Sequence, residues 1–223
     1  SGTGRWTVIK IPTLSFYEYC QLLQLDDMPL LPDRLKITDI PKMENAEVAD
    51  LMARFEPLVK HFNRYLTIGG FPELALSDDD LYAQRMLRED VVDKVIKRDV
   101  LTLFKVRSPL LMEKLFLYLC MNSTEIFSAT TAAKELDNIS PNTIESYVDA
   151  LVKSNLIYMA YPIAVGSKSV LKGRPKIYIA DAAIRNAVLM VDDVLSDERE
   201  LGFLIETTVY KHLVSFYQGT GAQ

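Results

Sequence analysis

Apolar residues recur at helical spacing through most of this chain, and Ser, Asp and Pro mark where the helices start. Val48, Leu51, Met52, Phe55, Leu58, Val59, Phe62 and Leu66 keep a three-and-four rhythm over 44–65, and Pro57 predicts a kink or split. Leu87, Val91, Val95, Ile96 and Val100 continue it in a helix over about 81–105, after the acidic Asp78, Asp79 and Asp80. Ser15 with Glu18 forms a capping box. Period-two alternation is confined to short runs at 6–11, 156–163 and 176–180, read as strands. The segment 26–43 reads as loop, and Gly69 to Glu73 as a turn in which Pro72 delays the next helix. The expected fold class is mainly α with a few short strands.

Composition closes off several functions. The nine glycines of the 223 residues form neither G-x-x-x-x-G-K-[ST] nor G-x-G-x-x-G, so no phosphate-cradling loop can be drawn within the chain. Cys20, Cys120, His61 and His212 are the only soft metal ligands and stand far apart, which excludes the paired spacing of a structural zinc site. Two separated cysteines in helical stretches argue against a disulfide framework and for a reducing, cytoplasmic setting. Both histidines read as structural or surface residues. The longest apolar runs, 115–121 and 156–165, fall short of the roughly 20 residues of a membrane span, so no membrane association is expected. No signal peptide is visible, and both ends read as cuts through a larger protein.

Residues 110–180 follow the order helix, helix, turn, helix, strand, loop, strand, which is that of a winged helix. Ser128 and Ser140-Pro141 mark the starts of its second and third helices. The third helix puts Ile144, Tyr147, Val148, Leu151 and Val152 inside and Asn142, Glu145, Ser146, Asp149 and Lys153 outside. Lys168, Lys172, Arg174 and Lys176 make the hairpin loop basic, as phosphate contacts require, and are the candidate nucleic-acid-binding residues. Two carboxylates on the recognition face and a net charge of −5 oppose that use. The balance favours protein packing, with duplex DNA as the alternative. The one basic stretch is 85–107, at net +3, against −5 for 1–84 and −3 for 108–223. Within it Arg98-Asp99 reads as a structural ion pair, Asp99 lying on the apolar line. In the last helix, 197–217, Leu201, Leu204, Ile205, Val209, Leu213 and Phe216 are expected inside.

Five strings resemble, in order, those of certain prokaryotic AAA+ ATPases. Gly4-Arg5, a short strand and Pro12 to Tyr19 (PTLSFYEY) resemble the family's G-R, strand and P-L-S-F-x-E. Tyr65-Leu66 with Gly69 to Glu73 (GGFPE) is similar to its Y-L-x-x-G-G-F-P-E, and Lys97 to Val100 (KRDV) to its x-R-D-[IL]. Lys176 to Asp181 (KIYIAD) resembles its K-x-Y-x-x-D. Gly202 to Glu206 is similar to the G-x-x-x-E helix that opens a nuclease-like, PD-(D/E)XK-type domain. The resemblance implies the C-terminal part of a longer ATPase. Its divisions would be the last core strand (1–14), a helical lid (15–84), a basic linker helix (85–107), a winged helix (108–180) and the start of the nuclease-like domain (181–223). ATP and Mg²⁺ would belong to a core upstream of Ser1, homo-oligomers to the intact ATPase, and the fragment itself would be inactive. Arg5 falls where such proteins place an arginine finger, whose guanidinium stabilises charge on a neighbouring subunit's γ-phosphate. Glu206 matches the first acidic nuclease position, yet the downstream acidic and lysine partners are not in the chain, so packing or capping is its expected role. A winged-helix DNA-binding regulator without enzymatic activity is the competing reading.

Overall fold

The computed structural model describes residues 11–25, 28–29, 37–104, 106–162, 173–191 and 193–219, with only the backbone described at 92, 93, 218 and 219. Arg5, Lys168, Lys172 and all but the last residue of the 6–11 strand lie outside them. The described chain is mainly helical, with one two-stranded sheet.

Helix α1 (Phe16–Leu22) begins as the sequence predicts. The Ser15 hydroxyl accepts the Glu18 N–H, and the Glu18 carboxylate accepts the Ser15 N–H at 2.7 Å. A 3₁₀ turn (Ile37–Lys42) occupies part of the segment read as loop. The long helix divides at Pro57 into α2 (Asn45–Phe55), a 3₁₀ turn (Glu56–Leu58) and α3 (Val59–Ile68). Proline supplies no N–H for the continuing ladder, so the turn tightens instead. Helix α2 buries none of its residues, whereas α3 buries Tyr65, Leu66 and Ile68. Gly69 closes α3 at φ 76°. Pro72 does not delay the next helix. It opens α4 (Pro72–Ala75) as the first helical residue, where a missing N–H costs nothing.

Helix α5 (Asp80–Arg88), capped by Asp79, runs into a π-wound stretch (Glu89–Val100) and α6 (Leu101–Leu103). Leu87, Val91, Ile96 and Val100 are buried along it. Asp99 stays half-exposed and accepts from its neighbour Arg98 at 3.0 Å, so its partner is local.

Beyond it come α7 (Pro109–Met121), α8 (Ala129–Glu135), α9 (Pro141–Lys153), β1 (Ile157–Ala160) and β2 (Lys176–Ile179). The strands pair antiparallel with Ile157 opposite Ile179 and Ala160 opposite Lys176. Residues 124–127 run along the other edge of β2, Phe127 donating to the Pro175 carbonyl at 2.8 Å. Two left-handed residues, Asp137 and Asn138, make the turn between α8 and α9, a conformation that short polar side chains tolerate. Ser128 caps α8 through its hydroxyl, but Ser140 makes no side-chain bond at the start of α9. Helix α9 buries Ile144, Tyr147, Val148 and Leu151, as its periodicity predicts.

Helix α10 (Ala182–Leu189) packs on α3, α5 and α7, and α11 (Glu198–Gly219) crosses α3 and β2. One core therefore runs from Tyr19 through Leu87, Val100, Leu115, Ile144 and Ile179 to Ala187. In α11 the sequence expectation holds for Leu204, with Leu201 packed beside it, and is overturned for the other four residues. Leu204 is buried, but with Thr207, Thr208 and Lys211, while Ile205, Val209, Leu213 and Phe216 are exposed. Polar partners on the inner side outweigh the apolar periodicity.

Candidate functional site

Three of the strings singled out in the sequence meet at one buried ion pair. Asp181 follows β2 and caps α10, its Oδ1 accepting the Ala183 N–H at 3.1 Å. Its Oδ2 accepts from Lys211 Nζ at 2.7 Å, the Thr13 hydroxyl at 2.6 Å and the Gly70 N–H at 3.1 Å. Lys211, from α11, also donates to the Leu14 carbonyl at 2.9 Å and to the Tyr65 hydroxyl at 2.8 Å. The Tyr65 hydroxyl in turn donates to the Leu14 carbonyl at 2.6 Å. Both charged side chains are 2% exposed.

The two glycines are required here by space. A Cβ on Gly70 would lie 2.1 Å from the Leu14 oxygen, and one on Gly69 would lie 2.4 Å from Asp181 Oδ1. Burial pushes the Asp181 carboxyl up, but the Lys211 charge and the hydrogen bonds from Lys211, Thr13 and Gly70 hold it below the usual carboxylate range. Burial, then the Asp181 charge, pushes the Tyr65 phenol well up. Beside it, His212 Nδ1–H donates to the Thr208 carbonyl at 2.7 Å, and Nε2 accepts the Phe16 N–H at 2.8 Å. Every donor in this cluster is engaged, so its chemistry is that of a joint. It fixes the 13–16 segment to α3, α10 and α11. The Arg98-Asp99 string lies elsewhere, on the surface.

The outer face of α9 carries the exposed Asn142, Glu145, Ser146, Asp149 and Lys153, as expected. Lys153 Nζ lies 2.5 Å from Asp149 Oδ2, one turn away. An open groove of about 820 Å³ separates this face from β1 and α11, with Glu145, Asp149, Tyr158, Tyr161 and Tyr210 among its walls and Arg174 at its rim. Lys176, the other described candidate, turns to Glu206, its Nζ 2.9 Å from Oε1, and Tyr178 donates to the same oxygen at 2.8 Å. The Tyr178 ring stacks on Tyr210 at 3.9 Å. Burial pushes Glu206 up, and the Lys176 and Tyr178 hydrogen bonds more than offset it, holding the carboxyl low. Glu206 thus stays exposed and serves as the partner of Lys176 and Tyr178. Of the four basic candidates, the structure places Arg174 at the groove, with no ion-pair partner among the described residues, and Lys176 in an ion pair.

Sequence reasoning missed Lys211, Thr13 and His212, together with Arg185. Arg185 is buried on α10, donating to the Cys120 carbonyl at 3.0 Å and pairing with Glu200. Lys211 left a weak signal, a polar line of Thr207, Thr208 and Lys211 beside the apolar one. Cys20 and Cys120 are free and buried. Among the described residues no helix is long and apolar enough to cross a membrane, and no cluster of His, Cys, Asp and Glu could hold a metal ion.

Residues 59–195 match a family defined as a domain of unknown function, DUF8612. The chain belongs to that family. The matched span takes in α3, the helices behind it, the whole of α7 to β2 and α10, and so includes Tyr65, Gly70 and Asp181. An uncharacterized protein of Haemophilus influenzae is 24% identical over 82% of this chain. Uncharacterized proteins MJ1544 and MJ1637 of Methanocaldococcus jannaschii are 24% and 30% identical over 80% and 74% of it. The chain spans 40% of the length of the first two relatives and 34% of the third. No solved structure matches it.

Proposed function

We propose that this chain is the lid and winged-helix portion of a AAA+ ATPase and couples ATP binding and hydrolysis in the core to a partner-binding module. The observation that carries this reading is the buried joint. Thr13 and Leu14, Tyr65 and Gly70, and Asp181 come from separate strings of the family resemblance and share one hydrogen-bonded cluster. A joint between the segment leaving a core (12–16), a lid (α3) and a winged helix (β2) transmits movement, because no member can shift without unpairing a buried charge. The longer relatives have room for a core with a phosphate-binding loop, and ATP and Mg²⁺ belong there. Arg5 is the arginine-finger candidate of that core, and α11 opens the nuclease-like domain. The free, buried cysteines fit a cytoplasmic setting.

The partner of the module is a protein rather than duplex DNA. Glu145 and Asp149 face the groove, Lys153 is engaged with Asp149, and Lys176 with Glu206. Arg174 at the rim is the remaining described cation of the hairpin.

The test is phosphate release. Full-length MJ1637 should hydrolyse ATP in the presence of Mg²⁺ while this chain gives no turnover. An inactive full-length relative, or robust turnover by this chain alone, overturns the reading. This chain should also leave duplex DNA unshifted at moderate salt. A salt-sensitive shift abolished by charge reversal of Lys168, Lys172 and Arg174 would make it a DNA-binding regulator instead.

A further inference from the structure

The π-wound stretch between α5 and α6 holds two apolar lines, of which the fold uses one. Twelve residues, Glu89–Val100, take this winding, whereas π turns in proteins are mostly single and often mark functional sites. Burial reports the winding independently. Leu87, Val91, Ile96 and Val100 are buried at spacings of four, five and four residues. At roughly 82° per residue, the turn of an i to i+5 ladder, they fall within an arc of about 50°. At 100° per residue, as in an α-helix, the same four would spread over about 220°, with Val100 opposite Val91.

An α winding would select the other line. Val91, Val95 and Leu103 then share an arc of about 120°, and Asp99 falls inside it. In the structure Val95 and Asp99 are half-buried and Leu103 is 73% exposed. After Val91 each winding therefore buries two apolar side chains, Ile96 and Val100 or Val95 and Leu103. What separates them is the Asp99 carboxylate, which only the α winding would carry into the core, where an unpaired charge is costly. Room for the second winding is present, since Val91 and Val95 border a largely apolar void of about 160 Å³ with Pro12, Phe71, Leu156 and Ile184. Beyond α6, Phe104 and residues 106–108 are not helical and can absorb a change of turn.

We propose that this helix is a two-register device, in which the stretch after Val91 exchanges π for α winding and Val95 and Leu103 replace Ile96 and Val100 in the core. Asp99 is its lock. The carboxylate keeps the π register dominant, with Arg98 as its ion-pair partner on the surface at 3.0 Å. The exchange turns the end of the helix by about 160°, because each residue from Val91 to Val100 gains roughly 18°. Helix register shifts of this kind run on the microsecond-to-millisecond scale. The helix joins α5 to α7, so the device acts between the segments before and after it. It rests on residues of this chain and not on the ATPase reading, and neither result decides the other.

Thiol alkylation reads the register directly on this chain. In the π register V100C should be protected and L103C should react freely. The native Cys20 and Cys120 are buried and leave this readout clean. D99L makes the α line apolar throughout, so L103C should slow and V100C should speed up, each by at least about tenfold, with unchanged circular dichroism. D99E keeps the carboxylate and should keep the pattern of the native chain. With Asp99 in place, V100C should still react at least about tenfold faster than Cys120, because register exchange opens the first and only wider unfolding opens the second. Val100 and Cys120 are both fully buried, so a static core predicts equal protection. Equal rates for the two thiols overturn the proposal, as does a folded D99L chain in which V100C and L103C keep the native pattern. Where D99L does not fold, the rates of V100C and Cys120 decide alone.

Discussion

Lys211 and Asp181 illustrate how much a single buried contact can decide. The pair is desolvated, yet each charge is met by further hydrogen bonds, from Thr13 and Gly70 on one side and to Leu14 and Tyr65 on the other. Lys211→Met leaves the Asp181 carboxylate buried without its cation, and the expected loss is about 3–5 kcal/mol in urea unfolding. The double variant with Asp181→Asn should lose less than the sum of the two singles, since neither remaining group then carries an orphaned charge. His212 sets a pH dependence of its own. Burial, assisted by the Lys211 charge, holds the imidazole below its ordinary range. Protonation would also forfeit the bond that Nε2 accepts from the Phe16 N–H. The unfolded chain therefore binds the proton more readily than the folded one, so stability is full above about pH 6.5 and falls as pH drops through the folded value. Urea midpoints measured from about pH 7 down to 5 should decline, and His212→Gln should flatten that decline.

At the scale of elements, the helix starts separate what sequence pattern can and cannot say. Ser128 and Ser140 look alike in the sequence, but only Ser128 accepts a backbone N–H, that of Thr131 at 3.3 Å. Ser128→Ala should cost about 1 kcal/mol, whereas Ser140→Ala should stay within about 0.5 kcal/mol. Thermal unfolding of the two variants side by side distinguishes them. The division of 44–68 at Pro57 and the buried face of α9 were legible because each depends on local chemistry, a missing N–H in one case and a 3.6-residue period in the other. Pro72 was misread for a local reason too. The same residue that stops a helix from behind can start one from in front. Helix α11 was misread for a non-local reason. Its apolar line is genuine, but the joint at Asp181 fixes its rotation and sends that line outward.

At the scale of the molecule, one core joins α1 and α3 through α7 and α9 to β2 and α10, which closes it by packing on α3, α5 and α7, while a smaller cluster of Leu66, Ala182, Val194 and Leu204 attaches α11. Unfolding should accordingly be a single transition, with far-ultraviolet circular dichroism and tyrosine fluorescence giving coincident curves. Separate transitions for the segments before and after 108 would contradict a shared core. The groove beside α9 and the apolar line on α11 are among the surfaces that the described residues leave open.

The sequence by itself determined the mainly helical class, most helix starts, the antiparallel hairpin and the two carboxylates on the face of α9. Each of these follows from residues within a few positions of one another. Only the tertiary structure decided that Thr13, Tyr65, Gly70, Asp181 and Lys211 form one joint, that Lys176 answers Glu206, and that α11 turns its apolar side out. Periodicity identifies a helix and its apolar face. Which face turns inward depends on what the rest of the chain offers there, and here it offered a buried carboxylate.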